Sequence, residues 1–124
     1  GYGANSQALV CARMVQELTA LITSSGGHLE TIVSFAGIGD IALTAYSSQS
    51  RNKALGKALG MKEYLEKDLP YTEGINTLAA LPLRINITAM PMFHAVHKIV
   101  FEGHDLTVLF EACKKHESPK ELML

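Results

Sequence analysis

Between Ile41 and Lys62 the chain carries no acidic residue, whereas Arg51, Lys53, Lys57 and Lys62 are all basic. Ser47, Ser48, Gln49 and Ser50 lead directly into Arg51 and Asn52, and Asp40 is the one carboxylate close by in sequence. These residue types suit the capture of a small anion. A helix starting at Ser50 or Arg51 presents unpaired backbone N–H groups and a partial positive charge. Arg51 can grip two phosphate oxygens in a fork, and Asn52 adds an amide donor. A capped, solvated helix with basic side chains would use the same residues, so both readings stand on chemistry alone. The sign of the charge favours the anion site: Arg51 and Lys53 lie where the helix dipole disfavours cations, and a bound anion would offset that.

Other chemistry-bearing residues say less. Gly37-Ile38-Gly39-Asp40 is not a GxGxxG fingerprint and no strand precedes it, so the chain holds no dinucleotide-binding unit of its own. His94 and His97 share a helical face, but no Cys, Asp or Glu stands at ligand spacing beside them, and no metal site is expected. Cys11 and Cys113 lack any paired spacing and read as reduced core thiols of a reducing, cytoplasmic compartment.

The elements that must position these residues are helical throughout. Ala8, Cys11, Val15, Leu18 and Ile22, joined by Met14 and Leu21, describe one helix from about Asn5 to Thr23, stopped at Ser24–Gly27. A short helix from about His28 to Phe35 turns Leu29, Ile32 and Val33 inward, and Gly37–Gly39 reads as a tight loop. Asp40 suits the N-cap of a helix over Ile41–Ala45. The next helix runs to Leu59 on an apolar face of Ala54, Leu55, Ala58 and Leu59, with Gly60 as its stop. Lys62–Lys67 makes a further helix closed by Leu69-Pro70. Another begins near Glu73 and must kink or end at Pro82. Pro91 opens a helix reaching Phe101 and closed by Glu102-Gly103. Asp105 caps the last long helix, to about Lys115, and Ser118-Pro119 starts one more turn. Seven or eight helices in an all-α single domain is the expectation.

With 124 residues there is room for one core, large enough to need no disulfide or metal. Eleven basic against twelve acidic residues give a net charge of -1, which argues against a nucleic-acid partner. No apolar run approaches the ~20 residues of a membrane span. Charged residues make up 19%, below the usual ~25%, so one face is expected to be covered by another domain or by a second copy in a homodimer. The chain starts Gly1-Tyr2 without Met and reads as part of a longer protein.

Several of these residues, in order, match a known family. Ala36-Gly37-Ile38-Gly39-Asp40-Ile41, then Thr44, Ser50-Arg51-Asn52, Gly56 and Leu59-Gly60, resembles the C-terminal helical domain of NAD(P)-dependent glycerol-3-phosphate dehydrogenase. Gly1-Tyr2-Gly3-Ala4-Asn5 with Ala8-Leu9 resembles the start of that domain, and Glu73-Gly74, Thr77 and Met90-Pro91 its later landmarks, so the resemblance covers essentially the whole chain. Ala45 and Tyr71-Thr72 depart from the family's usual residues. The resemblance implies interconversion of glycerol 3-phosphate and dihydroxyacetone phosphate, feeding phospholipid synthesis, with NAD or NADP as cofactor. It implies that Arg51 contacts substrate phosphate and cofactor, that Ser50 and Asn52 complete the substrate cradle, and that Asp40 and Thr44 line the reacting end. It implies cofactor contacts at Glu73 and Tyr71. The general-base lysine and the nucleotide-binding domain would both precede Gly1, so these residues alone would not turn over. Two rivals remain: the helical domain of another hydroxyacid or sugar-phosphate dehydrogenase, and a non-enzymatic helical interaction module.

Overall fold

The computed structural model describes residues 3–61 and 71–115. Seven α-helices follow in order: α1 (Ala4–Ser24), α2 (Leu29–Val33), α3 (Asp40–Tyr46), α4 (Arg51–Met61), α5 (Glu73–Ala80), α6 (Pro91–Glu102) and α7 (Thr107–Lys114). A π-turn, Phe35–Gly39, runs into α3, and 3-10 turns at Leu81–Leu83 and Ile87–Ala89 connect α5 to α6. Among the described residues there is no strand, so the fold is all-α as expected, and no helix is long and apolar enough to cross a membrane.

The core lies where α1, α6 and α7 meet. Met92, Ala95, Ala112 and Cys113 are buried there, with Val10, Met14, Val108 and Leu109 packed around them. Cys113 Sγ lies 3.6 Å from Met92 Sδ, and burial, with help from nearby Glu17, pushes the Cys113 thiol up against an opposing effect of Arg13. Glu17 is buried too, at 5% exposure, and its carboxylate accepts from the N–H groups of Met92 (2.7 Å) and Phe93 (3.0 Å). Those donors belong to the first turn of α6, which has no intrahelical acceptor for them; Pro91 at its head contributes no N–H. A side chain from α1 thus caps a helix 75 residues away.

α6 ends as its sequence requires, with Gly103 in the left-handed region at φ 68. Asp105 Oδ1 accepts from Thr107 N–H at 3.0 Å at the start of α7. α5 stops at Ala80, one residue before the turn that contains Pro82.

Several expectations fail for identifiable reasons. On α1 the expected Met14, Val15, Leu18, Leu21 and Ile22 are at least half-buried, but Ala8 and Cys11 are exposed, because Val10, Met14 and Glu17, spaced i, i+4 and i+7, form the face turned to the core. α2 buries only Ile32, and Leu29 and Val33 stay exposed. Asp40 has helical dihedrals (φ -68, ψ -40) and is not a cap: the π-turn feeds α3 without a break. Glycine at position 37 permits that turn in place of the expected loop, since it lies so close to the backbone of Thr31 and Ile32 that a side chain has no room. Gly60 does not stop α4, which continues to Met61 and sets Gly60 against Leu106. The helix at Lys62–Lys67, the Leu69-Pro70 stop and the Ser118-Pro119 turn lie outside the described residues.

Candidate functional site

Three short stretches converge on one cleft of about 290 Å³, lined by Leu43 and Thr44 of α3, Ser47, Gln49 and Ser50 of the following loop, Arg51 and Asn52 of α4, and Thr72 and Glu73 at the head of α5. Each has a local reason for its place. Ser50 caps α4: its Oγ accepts from Lys53 N–H at 3.2 Å and its carbonyl from Ala54 N–H at 3.0 Å. The N–H groups of Arg51 and Asn52, at the first two helical positions, then have no intrahelical acceptor. Ser47 Oγ accepts from Gln49 N–H at 3.2 Å, which tightens the loop. Thr72, only 2% exposed, caps α5 by accepting from Ile75 N–H at 3.3 Å, and Glu73 occupies the first turn, where a carboxylate suits the dipole.

Arg51 is exposed, and among the described residues its guanidinium has no ion-pair partner. Lys53, by contrast, donates from Nζ to the Tyr46 carbonyl at 3.2 Å, at the C-terminus of α3. A cation belongs at that end of a helix, so Lys53 is accounted for without an anion, and Arg51 is left as the cation facing the cleft.

The cleft therefore gathers Thr44, Ser47, Gln49, Ser50, Arg51, Asn52 and Glu73 from the residues singled out in the sequence. Asp40 lies one turn before Thr44 on α3 and lines an adjoining open hollow of about 700 Å³ with Phe35, Ala36, Gly39 and Leu43. Leu43 borders both spaces. Tyr71 stands outside the lining, its ring exposed and its hydroxyl accepting from Asn76 Nδ2 at 2.5 Å. Leu43 and Thr72 were missed. Thr72 could have been found as the Thr that precedes the first turn of α5, and Leu43 as the apolar residue one turn beyond Asp40.

The histidines form a separate group. His97 Nδ1 and His104 Nε2 approach the two oxygens of Glu102 at 3.5 and 3.3 Å, and among the described residues no cluster of three ligand-type side chains could hold a metal.

The sequence profile described as the NAD-dependent glycerol-3-phosphate dehydrogenase C-terminus matches residues 1–111. A glycerol-3-phosphate dehydrogenase (NAD(P)+) of Pseudomonas putida is 32% identical over 123 residues, covering 94% of this chain and 36% of that protein. Enzymes of the same name from Teredinibacter turnerae and Thioalkalivibrio sulfidiphilus are 35% and 36% identical, over 86% and 84% of this chain and 33% of each relative. The chain spans about a third of the length of these curated relatives. No solved structure matches. With nearly its whole length inside that profile, the chain belongs to the NAD-dependent glycerol-3-phosphate dehydrogenase family and matches its C-terminal domain.

Proposed function

We propose that this domain is the substrate half of an oxidoreductase interconverting glycerol 3-phosphate and dihydroxyacetone phosphate. The observation that carries the reading is Arg51, unpaired among the described residues and opening the cleft at the N-terminus of α4 beside Thr44, Ser50, Asn52 and Glu73. A phosphate there meets the first-turn N–H groups of α4, the guanidinium fork and the Asn52 amide together. The glycerol carbons then extend along α3 toward Thr44 and Asp40, where a hydroxyl or carbonyl accepts hydrogen bonds and Asp40 orients the group that moves the proton.

Residues beside the cleft fit one end of a nicotinamide cofactor: the hollow of Phe35, Ala36, Gly39 and Leu43 offers an apolar wall next to Asp40, and Glu73 and Arg51 offer polar contacts across the cleft. When bound, NAD or NADP supplies the hydride acceptor or donor. A nucleotide-binding domain, against which the exposed Phe35 and Leu43 would pack, would hold the remainder of the cofactor and supply the general base.

The test is substrate kinetics in the enzyme joined to that domain. Arg51→Ala removes a charge-assisted contact, so KM for glycerol 3-phosphate should rise about 10- to 100-fold. Lys57→Ala, further along α4, should act only through the general field and fade with salt. Equal effects of the two changes would refute the phosphate cradle.

A further inference from the structure

We infer that Gly74 is a positioning residue for the site, acting by leaving the space in which the Asn52 amide sits; the inference rests on the reading of Asn52 as a substrate contact. Asn52 is the second residue of α4 and Gly74 the second of α5, so two helix heads meet at the rim of the cleft. A Cβ built on Gly74 would stand 2.8 Å from Asn52 Oδ1, 3.4 Å from its Cγ and 3.6 Å from its Nδ2. The first distance is shorter than real Cβ atoms show, and the three nearest atoms all belong to the Asn52 side chain. A methyl group in place of the glycine hydrogen therefore presses first on the Asn52 amide.

The backbone does not require glycine here. Gly74 lies inside α5, and the positive-φ glycines are Gly26 and Gly103. Alanine is the better helix former, so local propensity argues against glycine at this position. The amide is the end of a flexible side chain that can swing aside, so the helices can keep their packing while the donor moves. What the glycine preserves is the place of one amide beside Arg51, and with it the geometry offered to a phosphate ester.

Four enzymes carrying the nucleotide-binding domain test this: wild type, Asn52→Ala, Gly74→Ala and the double variant. KM for glycerol 3-phosphate should rise about tenfold or more in Asn52→Ala, the worth of a hydrogen bond to a charged group. Gly74→Ala should match that rise with kcat and Tm held, and the double variant should be no worse than either single one, because the two changes act on one group. The Asn52 side-chain amide signals in nitrogen-edited NMR should move in Gly74→Ala. If Asn52→Ala weakens the substrate while Gly74→Ala does not, or if the two losses multiply, the role of Gly74 is overturned and the site reading stands. If Asn52→Ala leaves KM unchanged, the site reading fails at Asn52 and the inference falls with it. Should Gly74→Ala unfold, recovery of the wild-type Tm in the double variant supports the clash with Asn52, and no recovery overturns it.

Discussion

Replacing Glu17 with alanine removes both acceptors from the first turn of α6 while leaving the Met92 and Phe93 N–H groups where they are, the first of them buried. Each charge-assisted bond is worth about 1.5–3 kcal/mol, and a carboxylate at a partly buried helix N-terminus adds up to ~2 kcal/mol from the dipole. These contributions overlap. The closest comparison is the removal of one partner from a buried charge contact, which costs about 3–5 kcal/mol. Against a total stability of about 5–15 kcal/mol that is a large fraction, and at roughly 4 °C per kcal/mol it lowers Tm by about 12–20 °C. Glu17→Gln keeps one carbonyl acceptor but turns an NH2 toward the other donor, so it should cost about half as much. Urea unfolding of both variants, followed by far-UV circular dichroism, gives the numbers. A loss below about 1 kcal/mol in Glu17→Ala, the size of a surface substitution, would show that this long-range cap contributes nothing.

Two further outcomes follow from packing and charge. Gly60→Ala should raise stability by about 0.5–1 kcal/mol, since its Cβ would meet Leu106 Cδ1 at an ordinary 3.5 Å inside α4, whereas Gly37→Ala, with its Cβ 2.1 Å from the Ile32 carbonyl oxygen, should destabilise; the urea midpoints of the two variants, in the opposite order, would contradict this. Burial, then Lys98, His97 and Lys115, hold His94 below the ordinary histidine range against the pull of Glu102. The unfolded chain then binds that proton more readily, so stability should fall as pH drops through about 6.5 and on through the lowered native value, and His94→Gln should flatten the change between pH ~7 and ~5; an unchanged slope would count against it.

Local signals made much of this fold readable. Pro91 and Gly103 mark both ends of α6 because a missing N–H and a left-handed φ are written in single residues. Ser50 and Arg51 were legible as a helix start for the same reason, and with them the centre of the cleft. What failed depended on tertiary contact. Gly60 reads as a stop until Leu106 is known to pack beside it, and Gly37–Gly39 reads as a loop until the Ile32 backbone is seen to crowd it. Glu17 gave no signal, since its partners lie 75 and 76 residues away and its charge places it, by composition, on the outer face. Thr72 joins the site only because the head of α5 comes beside that of α4, which no local pattern states.

Burial is uneven along the chain. α6 and α7 carry Met92, Ala95, Ile99, Ala112 and Cys113 in the interior, whereas α3, bearing Asp40 and Thr44, has no buried residue. Under the proposed reading, mutations on α3 and the first turn of α4 would alter ligand contacts without opening cavities in the interior. If that reading holds, substrate preference could drift, or be redesigned, with few compensating changes elsewhere, while the α1–α6–α7 end tolerates little.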